Sequence, residues 1–384
     1  MPNVIEAYRL TRFGFPRDRV VGDSQVRVEH VYLAALELID SRGQIGSGFF
    51  GTLFQPLPDL QELTRIFETE IKSIVIGQSP FAMTNRIHRP RGGNIRALAY
   101  GIDDAIDQAL WDLKAQELGM PLYRLLGGTS NRVRAYASGL DFHLNDAEIV
   151  TFYRGAADLG YRAFKVKVGH PDLEWDIQRL QMVRKLVGAD ATLMIDANEA
   201  WSPAEAIRRL HAFHRAGIEI LWVEDPCLRY DFDGLRDVSR AAPFCLVNTG
   251  EYLGLTDKRR LIESGAVDIL NTHGNFTAGL RAAWLANEHG LQVSIGNTMF
   301  EVGVHLAAAL PGTPWLENSF HNWNFLLEEP VKFADGYAFA PEVPGHGLRL
   351  SEHARVKHAQ PNIEDMHGIE PPSSLLGAAF GRGW

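Results

Sequence analysis

Two hydrophobic periodicities divide the chain into an early and a late region. Residues 27–51 alternate apolar and polar positions around turn glycines, which predicts a pair of antiparallel strands. Residues 60–76 and 95–118 instead repeat apolar side chains every three or four positions, which predicts helices. We therefore expect an α+β unit that ends near residues 125–128.

Beyond that unit, short apolar strands alternate with amphipathic helices. The predicted strands are YRAFKVKVG, ATLMIDAN, ILWVEDP, FCLVNTGE, VDILNTHG, LQVSIGN and PWLEN. Between the second and third of them, Ser202 and Pro203 mark the start of a helix and Gly217 marks its end. Alternation of strand and helix is typical of a parallel sheet, and so many evenly spaced cycles favour a closed (β/α) barrel. A doubly wound open sheet is less favoured, because no glycine-rich phosphate turn follows an early strand.

Seven successive strands end in a polar side chain, at the end where such barrels carry their chemistry. These residues are Lys167, Asp196, Glu224, Glu251, His273, Asn297 and Glu317. A single acid at a strand end is usually a helix cap or a solvated loop residue. Polar residues in phase with the strand–helix repeat instead predict one active site at the rim of a barrel.

Three of these strand ends carry carboxylates, at Asp196, Glu224 and Glu251. Converging carboxylates repel one another unless they are protonated or share a cation. Oxygen ligands favour a hard ion, and no cluster of Cys or His indicates zinc. The sequence therefore predicts a Mg²⁺ site.

Lys165 and Lys167 lie two positions apart on one predicted strand, so their side chains point to the same face. A half-exposed strand with solvated lysines is a simpler explanation. Beside a second ammonium group and a divalent cation, however, the pKa of Lys167 is expected to fall. Lys167 would then act as a general base, with Lys165 tuning its pKa.

In this order, the motifs resemble the enolase superfamily and, within it, the mandelate racemase branch, which includes many acid-sugar dehydratases. The resemblance covers about residues 1–350 and depends on ALWDLKAQELGMPLYRLLGG, FKVKVG, MIDAN, WVEDP, NTGEYLG and HLAAALPGTPWLE. It implies an N-terminal α+β capping domain (1–130) and a modified (β/α)₇β TIM-like barrel (131–340). A C-terminal segment (341–384) would return to the cap, with a tail that is either an arm against a neighbour or disordered.

The resemblance also implies roles for individual residues. Lys165 and Lys167 match the family's lysine pair, with Lys167 as the base, and the carboxylates named above match its metal ligands. Asn198 matches a residue that contacts metal-bound groups or substrate. Glu317 matches a glutamate that donates to a substrate carboxylate oxygen.

Two positions depart from the family pattern. The mandelate racemase branch commonly has a His–Asp dyad, but Asn297 stands at the His position and His273 at the Asp position. Asn297 cannot titrate, so the usual second base is missing. His273 either faces the substrate opposite Lys167 as an acid or second base, or shapes the pocket by hydrogen bonding Asn297 or a loop. His321 is a further candidate pocket residue.

One dependable base and the family resemblance favour a lyase that dehydrates a sugar acid, an aldonate or aldarate, to a 2-keto-3-deoxy acid. Racemisation or epimerisation would require a catalytic His273, and cycloisomerisation of a lactone remains open. A non-catalytic metal-binding barrel is the competing class. A Schiff-base lysine enzyme fits less well, because three carboxylates converge beside the lysines.

Substrate choice in the family depends on cap loops over the barrel mouth, for which residues 13–24 and 48–55 are the candidates. Arg17 and Arg19 lie in the first segment and could bind a second substrate carboxylate. Exposed surface arginines are the commoner explanation.

Composition narrows the setting of this 384-residue chain. A net charge of −9 without a basic run disfavours nucleic acid or a membrane surface as partner. The two cysteines form neither a disulfide framework nor a zinc site and fit a reducing compartment. Without a secretory signal or a membrane-spanning apolar stretch, we expect a cytoplasmic enzyme for a small carboxylate substrate. The resemblance implies a homo-oligomer, either a dimer or an octamer.

Overall fold

The N-terminal unit contains a three-stranded antiparallel sheet. The computed structural model describes residues 3–52, 55–82, 100–312 and 314–362. The sheet has the order β1 (Ile5–Gly22), β2 (Arg27–Asp40) and β3 (Ile45–Thr52). The predicted strand pair is confirmed as β2 and β3, and β1 adds a strand that the sequence analysis did not assign.

The expectation of a loop at residues 13–24 is wrong, because β1 continues to Gly22. Phe13 and Phe15 are buried, so their alternation gives the strand an apolar face. Pairing with β2 is irregular between Ile5 and Ala7 and between Pro16 and Val21. Of this segment, only the turn between Gly22 and Arg27 is a loop. The expected loop at residues 48–55 is likewise wrong for residues 48–52, which belong to β3.

Helices cover one face of this sheet. They are α1 (Leu60–Ile66), which continues through a π-helical turn (Phe67–Ile71) into α2 (Lys72–Val75), then α3 (Ile102–Glu117) and α4 (Leu122–Leu125). A β carbon at Gly48 would lie 1.8 Å from the carbonyl oxygen of Ala105, so β3 and α3 approach at a distance that only glycine permits. Of the helix predicted at 95–118, residues 95–99 lie outside the described residues.

Eight parallel strands form a closed barrel, because the last of them pairs with the first. They are β4 (Arg132–Ser138), β5 (Ala163–Lys167), β6 (Thr192–Asp196), β7 (Trp222–Glu224), β8 (Leu246–Thr249), β9 (Ile269–Thr272), β10 (Gln292–Ile295) and β11 (Trp315–Asn318). The predicted barrel with an N-terminal cap is thus confirmed.

The barrel helices lie between these strands. They are α5 (Asp146–Asp158), α6 (Leu173–Val187), α7 (Pro203–Arg215), α8 (Phe232–Ala241), α9 (Leu255–Glu263), α10 (Phe276–Glu288) and α11 (Val304–Ala309). At the start of α7, the Ser202 side chain accepts from the Glu205 backbone N–H, as the sequence predicted. Among the described residues, the structure has no helix with the length and apolarity needed to cross a bilayer.

The barrel interior changes from apolar to polar towards the C-terminal strand ends. Near the N-terminal ends, a cluster of side chains includes Met194, Trp222 and Ile269. One layer higher, Asn248 Nδ2 donates to Ser294 Oγ at 3.0 Å. Since alternate residues of a strand face inward, the same alternation that fills the core delivers polar groups to the rim.

The chain then returns to its own beginning. A hairpin of β12 (Lys332–Ala334) and β13 (Tyr337–Phe339) pairs antiparallel with β4. Beyond it, Arg12 and Gln360 exchange backbone and side-chain hydrogen bonds, and Arg355 pairs with Glu37 at 2.5 Å. The end of the described chain therefore packs on the capping sheet. Residues 363–384, which include most of the predicted tail, lie outside the described residues.

Candidate active site

Lys165 projects from β5 into a cage of carboxylates. Its Nζ lies 2.9 Å from Glu224 Oε2, 3.0 Å from Glu317 Oε1 and 3.3 Å from Asp196 Oδ2. Its side chain is 2% exposed, so little water screens these contacts. β6, β7 and β11 thus each direct one carboxylate at the same ammonium group.

Lys167 lies one inward position further along β5. Its Nζ donates to Asp196 Oδ2 at 2.6 Å and to Asn198 Oδ1 at 2.7 Å. The backbone N–H of Asn198 donates to Asp196 Oδ1 at 2.9 Å, and Asn198 adopts a left-handed φ of 45°. Both lysines are buried. The interpretation of a solvated lysine face is therefore wrong.

The pKa of Lys167 is raised, whereas the sequence led us to expect that it falls. Burial lowers this pKa and Lys165 lowers it further, but Asp196 raises it and the net shift is upward. The pKa of Lys165 is also raised, because Glu224 and Glu317 outweigh burial. The expectation counted the repulsion between the ammonium groups but not the carboxylates that pair with them.

Of the three candidate metal carboxylates, Glu224 and Glu251 have raised pKa values, whereas the two lysines outweigh burial and lower the pKa of Asp196. Burial, and secondarily Glu317, raises the pKa of Glu251 to about 8. Burial also raises the pKa of Glu224, and Asp196 adds to that shift. Buried carboxylates that oppose one another's ionisation are a donor set that suits a hard divalent cation. Residue 296 must be small beside them, since a β carbon at Gly296 would lie 3.0 Å from Glu251 Oε1.

No group of three or more His, Cys, Asp or Glu side chains in the described ranges is already arranged as a metal site. The lysines explain this absence, because they pair with the carboxylates that would bind the metal. Lys165 Nζ contacts Glu224 Oε2, and Lys167 Nζ contacts Asp196 Oδ2. The residue types fit Mg²⁺, whereas their present partners are ammonium groups.

His273 and Asn297 lie on another side of the barrel mouth. Both line a cavity of about 360 Å³ together with Glu251 and Trp323. His273 Nδ1 has no hydrogen-bond partner among the described residues, whereas the ring has a hydrogen bond with the Glu251 backbone, which favours the interpretation in which His273 bonds a loop rather than Asn297. Burial, and then Lys258, lowers the pKa of His273 to about 4, which keeps the ring neutral.

The cap covers both sides of the mouth. In the turn after β1, Gln25 Nε2 donates to the Asn198 carbonyl at 2.5 Å. On the other side, Phe50 and Thr52 of β3 line the cavity that contains His273. Both cap segments predicted from the sequence reach the mouth, although residues 53–54 lie outside the described residues.

Comparison with known proteins identifies the family. Residues 148–354 match the model "Enolase C-terminal domain-like". Residues 55–127 match the N-terminal domain model of mandelate racemase and muconate lactonizing enzyme. The chain belongs to the enolase superfamily.

Curated relatives in this superfamily catalyse different reactions. The chain is 30% identical to a 3,6-anhydro-α-L-galactonate cycloisomerase from Streptomyces coelicolor over 68% of its length and 71% of the relative. It is 34% identical to an L-talarate/galactarate dehydratase from Salmonella typhimurium over 65% of its length and 63% of that enzyme. An L-Ala-D/L-Glu epimerase from Clostridium acetobutylicum is 30% identical over 73% of this chain and 80% of the epimerase.

Two solved structures have the same fold over nearly all of this chain. A protein from Mesorhizobium loti, provisionally described as a mandelate racemase, has a TM-score of 0.91 and 49% identity, with 96% of this chain and 98% of that chain covered. The Salmonella typhimurium dehydratase with Mg and L-lyxarohydroxamate gives a TM-score of 0.82 at 28% identity, with 94% of each chain covered.

Two arginines of this enolase-superfamily chain depart from the expectation of surface exposure. Arg19 is buried and donates to the carbonyls of Ser319 and Phe320 at 2.9 Å and of Gly139 at 3.1 Å. Arg17 Nη1 donates to His321 Nδ1 at 2.9 Å. The surface interpretation is wrong, because β1 carries both side chains into the contact between cap and barrel.

Sequence reasoning missed several residues that support the site. Asp141 accepts from the Lys167 backbone N–H at 3.0 Å, and Asn271 Nδ2 donates to Glu224 Oε1 at 3.1 Å. Lys258 donates to the carbonyls of Gly250 and Asn271 and thereby fixes the end of β8. The signal for Asn271 was present, since it is a polar residue at an inward position of an apolar strand.

Proposed function

We propose that this chain removes the proton α to the carboxylate of a sugar acid and eliminates the β-hydroxyl group, giving a 2-keto-3-deoxy acid. The observation that carries the proposal is Lys167, a buried amine 2.6 Å from Asp196 and enclosed by carboxylates at the barrel mouth. The family's curated relatives include dehydratases, epimerases and cycloisomerases. Dehydration needs one base, whereas epimerisation needs a base on each face of the substrate.

Asp196, Glu224 and Glu251 would hold Mg²⁺, as donor type and mutual repulsion favour. Structures of relatives contain magnesium. When bound, the ion supplies positive charge that stabilises a substrate carboxylate as the α-proton leaves.

Lys165 and Glu317 would orient the substrate carboxylate, each as a hydrogen-bond donor, since Lys165 Nζ and Glu317 Oε1 lie 3.0 Å apart inside the barrel. Lys167 must lose its own proton to act as a base, and Asp196 is the main group that opposes this loss. If Asp196 instead bound Mg²⁺, it would stabilise the ammonium form of Lys167 less. The pKa of Lys167 would then fall towards the pH at which the enzyme works.

The proposed elimination balances with one water released. Lys167 takes the α-proton, the β-carbon–oxygen bond breaks, and Lys167 returns that proton to the leaving hydroxyl group, because the neutral His273 ring is not an acid. The resulting enol takes a solvent proton at C3 and becomes the ketone. Asn198 holds Lys167 at 2.7 Å and limits the positions from which it approaches the α-carbon.

Epimerisation, which needs a base on each face of the substrate, is the second candidate. It is favoured by His273, whose neutral ring lines the same cavity as Glu251 and leaves Nδ1 without a partner among the described residues. A neutral imidazole can accept a proton on the face opposite Lys167.

The test is a solvent-exchange screen by mass spectrometry. Mg²⁺-loaded protein is incubated in D₂O with pooled aldonic, aldaric and uronic acids, beside Lys167→Ala. We expect loss of water and one deuterium at C3 of the product. Deuterium at the α-carbon without loss of mass would instead indicate an epimerase. The absence of exchange with every acid would contradict α-proton abstraction.

A further inference from the structure

Several buried hydrogen-bond donors at the junction of cap and barrel lack acceptors. Nε and Nη2 of Arg17 and Nδ2 of Asn322 are buried without hydrogen-bond partners among the described residues, whereas the Trp323 side chain interacts with the Glu301 carboxyl. Nε2 of His321 is also buried and unpartnered. We call Arg17, His321, Asn322 and Trp323 the donor cluster. Unpaired buried polar groups are costly, so their concentration in one place requires an explanation.

The hydrogen bond between Arg17 and His321 determines which imidazole nitrogen carries the proton. A guanidinium group can only donate, so His321 Nδ1 must accept the 2.9 Å bond from Arg17 Nη1. Burial, and then Arg17, lowers the pKa of His321, so the ring is neutral and its proton is on Nε2. His321 Nε2 is therefore also a donor, and Arg17, His321 and Asn322 present N–H groups to acceptors that the described residues do not supply.

The donor cluster lies at the catalytic rim of the barrel. Three of its members follow β11 directly, within six residues of Glu317. Arg19 anchors this segment through the carbonyls of Ser319 and Phe320. Trp323 also lines the cavity that contains Glu251, His273 and Asn297. The cluster therefore adjoins the proposed site on the side of β11.

The charge of the cluster selects an anion. Arg17 is a half-buried cation that donates to a neutral ring; burial and then Arg19 lower its pKa, and Asp18 opposes that shift. Glu301 lines a neighbouring cavity of about 540 Å³ with His321 and Trp323. Burial raises the pKa of Glu301 to about 8, so this carboxyl is protonated at neutral pH and does not oppose an anion.

A carboxylate matches these donors better than a hydroxyl group does. It carries two acceptor oxygens with about four lone-pair sites, and a guanidinium group binds it through two parallel hydrogen bonds. Arg17 Nε and Nη2 form such an edge, and both are unpartnered. The reacting carboxylate of the substrate is already assigned to Lys165 and Glu317, so the donor cluster is available to a second one.

We propose that the substrate is a dicarboxylic sugar acid, an aldarate, whose distal carboxylate binds Arg17 and the neighbouring N–H groups of the donor cluster. This inference rests on the proposed function, because it assumes that the other carboxylate lies at the lysine pair. It distinguishes aldarates from aldonates, which end in a hydroxymethyl group.

Binding can be measured separately from turnover. Mg²⁺-loaded Lys167→Ala protein is titrated calorimetrically with matched pairs of acids, galactarate with galactonate and glucarate with gluconate. We expect one aldarate to bind about 100-fold more tightly than its aldonate, as for a buried charge pair against a neutral group. Adding Arg17→Gln should remove most of that preference and leave aldonate binding nearly unchanged. Arg27→Gln, on the exposed start of β2, is the matched control and should leave the preference intact.

Three outcomes would overturn the inference: equal or tighter binding of the aldonate in each pair, binding of neither acid, or an equal loss of both acids in Arg17→Gln. If Arg17→Gln does not fold, Arg17→Lys keeps the charge, and the wild-type preference alone still decides. Solvent exchange on aldonates without an aldarate preference would contradict this inference and leave the proposed function intact. Failure to exchange any acid, with the aldarate still bound more tightly, would contradict only the proposed function.

Discussion

The lysine pair and the donor cluster are both buried at the same rim of the barrel, yet their polar groups are satisfied in different ways. Lys165 meets three carboxylates within 3.3 Å, and Lys167 meets Asp196 and Asn198. Arg17, in contrast, donates to a neutral imidazole and leaves two nitrogens unpartnered.

This difference separates two ways of preparing a site. Where cations and carboxylates already pair, the protein holds reacting groups in position, and a ligand must compete for them. Where donors lack acceptors, the protein has left the stabilising contact to a ligand. We therefore expect changes in the first region to affect the chemical step and changes in the second to affect affinity.

The largest expected effect is that of Lys167→Ala. Removal of the base should lower α-proton exchange by at least about 10³-fold, because a positioned base contributes 10²–10⁴-fold and water replaces it poorly. The measurement is deuterium incorporation by mass spectrometry. Lys185→Ala changes an exposed lysine of α6 and serves as the control. Retention of exchange in Lys167→Ala would transfer the role of base to another residue.

Removal of the metal should have the next largest effect. Dialysis against a chelator is expected to lower exchange by at least about 100-fold, and added Mg²⁺ should restore it. Glu224→Gln should weaken this restoration, which is read as the Mg²⁺ concentration for half-maximal activity. Full activity in the presence of chelator would contradict the assignment of the carboxylates.

His273→Gln distinguishes a mechanism with Lys167 as the one base from a mechanism with His273 as a second base. For a dehydratase that uses Lys167 alone, we expect turnover to fall by less than about 10-fold, below the usual contribution of a general base. Loss of exchange as complete as in Lys167→Ala would instead favour epimerisation with His273 as the second base. The measurement is the ratio of the two variants' rates on one substrate.

Glu301 gives the smallest expected effect, on stability rather than activity. Its pKa is raised in the folded protein from 4.5 to about 8, so the folded state binds the extra proton between these values. Its contribution to stability is fully present below pH 4.5 and is lost as the pH rises through about 8. The melting temperature of Glu301→Gln should therefore fall less than that of the wild type as the pH rises. If the melting temperatures of the two proteins changed equally with pH across this range, the raised pKa of Glu301 would be contradicted.

The sequence predicted the barrel and its rim because both depend on periodicity. Asp196 and Glu224 end β6 and β7, where in-phase polar residues indicated them, and Glu317 lies in β11. The same reasoning predicted the wrong direction for the pKa of Lys167. The pKa of Lys167 is raised because its Nζ lies 2.6 Å from Asp196 Oδ2. Polar residues at strand ends indicate which side chains converge, but they do not indicate which atoms come into contact.

Burial of the arginines was unpredictable for a different reason. Arg17 and Arg19 occupy a polar stretch of β1 whose exposure is decided by a segment some 300 positions later, where Arg19 meets Ser319 and Arg17 meets His321. Local patterning carries no information about such distant pairs. Glu301 was missed likewise, because an acid in a short loop resembles a solvated residue until the loop is packed.

The return of the chain's end to its beginning has a consequence for synthesis. Arg12 donates to the carbonyls of Gln360 and Leu57, and its backbone carbonyl accepts from Gln360. Synthesis proceeds from the N-terminal end, so Arg12 of the capping sheet lacks its Gln360 partner until that residue has emerged from the ribosome. Contacts between residues about 350 positions apart form slowly. The cap is therefore completed late in folding.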